Sequence, residues 1–183
     1  MPTTDKTIIL IGLEGPELVN QSTGRVDWKP AATDPHFRSL VKRAIVEFML
    51  KNSQDEWQWN VSSADVAVFR NGEEFLRPLG RDKYTRAIVY AHGDGWALMP
   101  TISNSTTHVR DYTLAKGFGQ SGVRQALILG CNSKHLAETV ARVLEKYTRV
   151  GGIDHIRDDE VDARHTRLNI LNMIIWGYGG DQQ

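Results

Sequence analysis

Cysteine is nearly absent from this chain, in which Cys131 stands alone. A single cysteine forms no internal disulfide, which excludes the small oxidised scaffolds and makes a reducing cytoplasm the expectation. An excess of charge of one sign is missing too, since 22 basic and 22 acidic side chains balance to a formal net charge of zero. Lys and Arg are scattered along the chain, whereas nucleic acids and anionic membrane surfaces are approached through clustered positive charge, so neither is expected as a partner. No run of about 18 uninterrupted apolar residues occurs, and no segment reads as spanning a bilayer. The start, Met1-Pro2-Thr3-Thr4-Asp5-Lys6, lacks the basic, apolar and small order of a secretory signal. With no internal repeat, low-complexity tract or linker, the 183 residues suit one compact domain over 1–183.

What is present is an alternation of short apolar runs with helical patterns. Thr7-Ile8-Ile9-Leu10-Ile11-Gly12 is β-branched, apolar and bounded by glycine, as a buried strand of a parallel sheet is. Residues 14 to 33 carry turn residues without a sustained period and read as a long surface loop of the kind that borders sites. Asp34-Pro35 caps a helix in which Leu40, Val41, Ala44, Ile45, Phe48 and Met49 recur at helical spacing. Trp57, Trp59, Val61, Val66 and Val68 suggest one or two strands joined through Ser62-Ser63. The stretch from Glu73 to Tyr84 is polar and interrupted by Pro78 and Gly80. A strand then ends at His92, Gly93-Asp94-Gly95 turns the chain, and 96–100 form a small hairpin arm with the residues after them. A short helix falls within 106–119 around Tyr112, Leu114 and Ala115. The strand leading to Cys131 is followed by Ser133 as N-cap of a helix presenting Leu136, Val140, Val143, Leu144 and Tyr147 on one face. Thr148 to Ile153 form a further strand. Asp158-Asp159-Glu160 head a last helix through Val161, Leu168, Leu171 and Ile175 that Gly177 closes. This order predicts an α/β fold, a three-layer αβα sandwich with a mostly parallel central sheet and right-handed crossovers.

Two reactive side chains follow two of these strands. His92-Gly93 ends the run Ala87-Ile88-Val89-Tyr90-Ala91, and Cys131 ends the run Ala126-Leu127-Ile128-Leu129-Gly130. A parallel sheet places the residues after its strands on one edge, where ligands bind, and neighbouring strands lie only about 4.8 Å apart. A thiol near its ordinary pKa of about 8.5 is mostly protonated at neutral pH, and the thiolate is the nucleophile. Cys131 has two sources of help: a nearby imidazole, and the positive end of the helix that starts near Ser133. Attack on a carbonyl creates an oxyanion, for which the backbone N–H groups of Gly93 and Cys131 are candidate donors.

The strings Val89-Tyr90-Ala91-His92-Gly93-Asp94-Gly95 and Leu127-Ile128-Leu129-Gly130-Cys131-Asn132-Ser133 resemble the caspase–haemoglobinase group of cysteine peptidases, and most of all the caspase-like module called CHAT. A third match, Val150-Gly151-Gly152-Ile153 followed by the acids at 158–160, is similar to the strand and acid-headed helix after the cysteine in that module. The resemblance covers roughly residues 84 to 176. It implies a caspase-like fold, Cys131 as covalent nucleophile, His92 as general acid and base, Gly93 as oxyanion donor, and a peptide or protein as substrate. The caspase pentapeptide around the cysteine is replaced here by Gly130-Cys131-Asn132-Ser133, so aspartate specificity is not implied. The short segment between the first helix and the His strand implies that one family helix is missing or reduced. Family members are often switched on by associated domains, which makes an external protein activator an expectation.

Blander readings stand beside this one. A lone cysteine is commonly buried and inert, and His92, Asp94 and Cys131 as metal ligands would lack the paired spacing of most zinc sites. No metal or cofactor is expected. Trp57, Trp59 and Trp176 read as packing residues, while Trp96 is a candidate for lining a substrate groove. Glu14, Arg25 and Asp154 are candidates to face a charged substrate side chain from strand-end loops. His36, His108, His135, His155 and His165 read as solvated or hydrogen-bonded residues. A thiol esterase of α/β-hydrolase type would instead use Asp154 with His155 or His165, although Leu129 and Ser133 occupy the positions where its nucleophile turn wants glycine. A catalytically silent caspase-like scaffold, binding a partner through residues 14–33 or the arm after Gly95, is the reading from a different class.

Overall fold

A computed structural model of the chain describes residues 5–12, 19–20, 25–26, 35, 38–39, 41–43, 45–46, 59–100, 104–130, 132–144 and 148–152. The chain divides into two compact units, Met1–Leu13 with Ser63–His155, and Glu14–Ser62 with Ile156–Gln183. In chain order the strands are β1 (Thr7–Gly12), β2 (Val19–Asn20), β3 (Arg25–Val26), β4 (Asp65–Phe69), β5 (Arg86–Tyr90), β6 (Ala97–Leu98), β7 (Val109–Arg110), β8 (Gln125–Leu129) and β9 (Arg149–Gly152). The helices are α1 (Gly72–Arg81), α2 (Asp111–Ser121) and α3 (Ser133–Val143), with one turn of 3-10 helix at Ser105–Thr107.

The first unit is α/β, built on a five-stranded sheet in the order β4-β1-β5-β8-β9, all of whose pairings are parallel. Every residue of β1 is buried, and so are the last four of β5 and of β8, the apolar runs expected of strands covered on both sides. On one face Ile8, Leu10, Ala87, Val89, Ala126 and Ile128 form a common core with Phe75 and Leu79 of α1, Leu114 and Phe118 of α2, and Leu136 and Val140 of α3. Ile9, Ile11, Ile88, Tyr90, Leu127 and Leu129, which alternate with them, are buried as well. Both faces are therefore covered, as a three-layer αβα sandwich requires.

Helix α1 corrects the reading of 73–84 as a broken polar stretch. Pro78 lies inside it, where the lost N–H costs about 3 kcal/mol in an isolated helix. Local and tertiary terms offset that cost. The Asn71 side chain accepts from the Glu74 N–H at 2.9 Å, Glu73 and Glu74 occupy the first turn, and Arg81 stands in the last. Phe75, Pro78 and Leu79 are buried at helical spacing, and the Phe75 ring meets Phe69 edge-on at 5.2 Å and Phe118 at 6.0 Å.

Ahead of α1, Arg70 donates from its backbone N–H and its guanidinium to Glu74, the shortest contact being 2.6 Å. The Arg70 hydrogen bond holds the Glu74 carboxyl below its usual range, against the opposing effect of burial. A depressed carboxyl contributes stability that is fully present above its unfolded pKa of about 4.3 and is lost as pH falls through the lower folded value. Arg70→Met is thus expected to destabilise the protein by on the order of 1 kcal/mol at pH 7, a figure reduced because the Arg70 side chain is 38% exposed. Urea denaturation of the variant and the parent should give that gap at pH 7, and the gap should close toward pH 2.

Elsewhere the expected elements hold with shifted ends. β1 spans the expected residues, the arm after Gly95 is β6 paired antiparallel with β7, the helix expected within 106–119 is α2, and the strand after the cysteine helix is β9. Four details differ. The segment read as a surface loop contains β2 and β3, an antiparallel pair belonging to the second unit. Trp59 and Val61 are buried without lying in a strand, whereas Val66 and Val68 lie in β4. The α3 N-cap is Asn132 rather than Ser133, and Val143 is 52% exposed rather than on the buried face. In the second unit, residues 35, 38–39, 41–43 and 45–46 are helical and Val41 and Ile45 are buried, while Leu40, Ala44, Phe48 and Met49 lie outside the described residues. The expected last helix lies outside them too.

Candidate functional site

The order of the sheet reverses between β1 and β5: β4, the next strand of this sheet after β1, lies on one side, and β5, β8 and β9 lie on the other. In open parallel sheets ligands settle outside the carboxyl ends of the strands at such a reversal. His92 follows β5 at that edge. The opposite edge is closed by structural contacts, in which the Tyr84 hydroxyl donates to Asp65 at 2.8 Å and the Lys6 ammonium sits over the Tyr84 ring.

β5 and β8 pair directly, from Arg86 opposite Gln125 to Tyr90 opposite Leu129, and the Ala91 N–H continues the ladder to the Leu129 carbonyl at 3.2 Å. Partners in this ladder are 39 residues apart, which is also the sequence separation of His92 and Cys131. Gly130 marks how closely the two strand ends approach. A Cβ there would fall 2.8 Å from the Ala91 carbonyl oxygen and 3.7 Å from the Gly93 nitrogen, so only glycine fits.

The chain beyond His92 is fixed by a tight hairpin. The Met99 N–H donates to the His92 carbonyl at 2.7 Å and the Asp94 N–H to the Ala97 carbonyl at 3.4 Å, with Gly93 opposite Leu98 in the bridge between them. Those two bonds leave the Gly93 N–H outside the bridge, on the side of Gly130. The Asp94 carboxylate accepts from the Trp96 and Ala97 N–H groups, both at 2.9 Å, and so serves to close the turn. His92 itself is half-buried.

Beyond Gly130, Asn132 adopts the left-handed conformation (φ 56°, ψ 26°), which asparagine tolerates better than most residues. Ser133 opens α3 and is buried; its hydroxyl donates to the Ile128 carbonyl at 2.6 Å and its N–H to the Gly130 carbonyl at 3.3 Å. These bonds tie the first turn of α3 back to β8. β9 presses on the same turn, for a Cβ on Gly152 would collide with the Ser133 backbone and lie 2.7 Å from the Lys134 nitrogen.

Between the His92 hairpin and α3 lies an open cleft of about 420 Å³, lined by Asp94, Gly95 and Trp96 on one side and Asn132, Lys134, His135 and Glu138 on the other. Trp96 is 70% exposed and meets the His135 ring edge-on at 4.6 Å. The expected sites therefore divide. His92, Gly93 and Trp96 lie together at one edge of the first unit, and Arg25 lies on β3 in the second. Cys131, Glu14 and Asp154 lie outside the described residues, as do His155 and His165. His135 and Glu138, which the sequence pattern marks only as ordinary helix positions, line the cleft; their three-residue spacing on α3, which puts them on one helix face, was the available signal.

No family model matches the chain, and no curated protein matches it. No helix among the described residues is long and apolar enough to cross a membrane.

Proposed function

We propose that the protein is a caspase-like cysteine endopeptidase whose dyad is His92 and Cys131 and whose substrate is a peptide or protein segment. The observation that carries the reading is the direct parallel pairing of β5 with β8, in a register whose offset equals the separation of the two residues. The position of the Gly93 N–H beside Gly130, and the family resemblance of the two strand-end strings, support it.

In this reading the Cys131 thiol gives its proton to His92 and the sulfur attacks the peptide carbonyl. The Gly93 N–H steadies the oxyanion. The tetrahedral adduct collapses as the C–N bond breaks, His92 delivers the proton to the departing amine, and a thioester remains on Cys131. A water then loses a proton to His92, attacks the thioester, and releases the acid as that proton returns to sulfur. The chain works in the reducing cytoplasm, where a protein partner raises a turnover that the isolated chain already has.

The test is direct. Incubation with a peptidyl fluoromethyl ketone should add one peptidyl group at Cys131, read by mass spectrometry of the tryptic peptide. Cys131→Ala should lose both the adduct and peptide hydrolysis while its circular dichroism stays that of the parent. Hydrolysis that persists in Cys131→Ala ends the proposal.

A further inference from the structure

The cleft beside the His92 hairpin carries chemistry that the dyad does not use. Trp96 is one of the few large apolar side chains of the described residues left exposed, yet it is held in place. Its backbone is fixed by the Asp94 carboxylate and its ring by the edge-on contact with His135. Across the cleft, Glu138 is exposed on α3, and among the described residues its carboxylate accepts no hydrogen bond and pairs with no cation. Asp94 binds the turn through Oδ1, leaving its second oxygen. Lys134 also lines the cleft and has an interaction partner of its own. The cleft thus offers an indole and two carboxylates against one lysine.

An aromatic face beside a net negative charge suits a cation, and a planar guanidinium best, because it can stack on the ring while donating to a carboxylate. The position of the cleft says which part of a substrate it meets. A general acid stands beside the leaving group, and Asp94, Gly95 and Trp96 continue the chain directly from His92. We infer that, given the peptidase reading on which this rests, the Trp96–Glu138 cleft is a leaving-group subsite that selects arginine, and lysine less well, on the C-terminal side of the scissile bond.

The experiment reads binding without requiring turnover. The full chain is titrated with the dipeptide amides Arg-Gly-NH2 and norleucyl-Gly-NH2, following the Trp96 indole N–H resonance, which Trp96→Phe identifies by its loss. Arg-Gly-NH2 should bind about tenfold more tightly than the uncharged peptide, and Glu138→Gln should remove most of that preference without weakening the norleucyl peptide. Equal affinities, a Trp96 resonance that neither peptide moves, or a preference that survives Glu138→Gln would overturn the subsite. In parallel, a peptidyl fluoromethyl ketone, whose departing fluoride needs no room in the cleft, should label Cys131 equally fast in the parent and in Glu138→Gln. Labelling without arginine preference removes the subsite alone. Arginine preference without labelling removes the peptidase reading, and the leaving-group assignment with it.

Discussion

Replacing His92 with alanine is expected to lower kcat/KM for a cleaved peptide by about a hundredfold to ten-thousandfold, the range a positioned general acid and base contributes. The imidazole has two tasks in the proposed cycle, raising the thiolate fraction of Cys131 and protonating the departing amine, and alanine performs neither. Fold effects should be small, because the backbone at 92 is held by the Met99 N–H rather than by the ring alone. A melting curve on the same preparation separates a lost proton carrier from a lost fold. The pH profile sharpens the test: the acidic limb of kcat/KM in the parent should flatten in the variant. His165→Ala should leave turnover unchanged. The opposite pattern, with activity kept in His92→Ala and lost in His165→Ala, would turn the assignment toward the thiol esterase.

The second large effect is expected at Gly130. An alanine Cβ placed there meets the Ala91 carbonyl oxygen at 2.8 Å and the Leu98 side chain at 3.3 Å. The first of these is backbone in a paired strand and cannot swing aside, so β5 and β8 must part at the row just before His92. Overpacking of this kind costs about 1–3 kcal/mol, which lowers Tm by roughly 2–4 °C per kcal/mol in a protein of this size. A displacement of about 1 Å at reacting groups costs about a hundredfold in rate, so kcat/KM should fall further than stability alone implies. Gly80→Ala makes the contrast. It lies in α1 with nothing nearer to its Cβ than the Gln120 side chain at 3.9 Å, and it should be neutral or gain about 0.5–1 kcal/mol from helix propensity. Equal Tm and equal turnover in Gly130→Ala and the parent would show that the strand ends are not in close register.

Helix α1 shows where local rules failed. Pro78 and Gly80 both argue against a helix interior, and the segment is polar on its face away from the sheet. What outweighs them is burial of Phe75, Pro78 and Leu79 against Phe69 and Phe118, residues that come from β4 and α2. A window of ten residues does not contain those partners. Ser133 failed for a related reason. Its hydroxyl reads as a helix cap, but it is turned back to donate to the Ile128 carbonyl five residues earlier, and Asn132 takes the capping position with a left-handed backbone. Spacing alone puts Val143 on the buried face, yet α3 ends there with that side chain half in water.

The α/β class and the identity of the central strands were legible because β1, β5 and β8 are continuous apolar runs, and a strand covered on both faces has no other way to be written. The placement of His92, Gly93 and Trp96 at one edge of the sheet was legible as well, since the residues that follow parallel strands share an edge. Periodicity carries no information about which strands are neighbours. That β5 lies between β1 and β8, that their register offset is 39, and that Trp96 and His135 face one cleft were decided only by tertiary packing. Hydrogen-bonded ladders and ring contacts join residues far apart in the chain, and such pairings exist only once the core has brought them together.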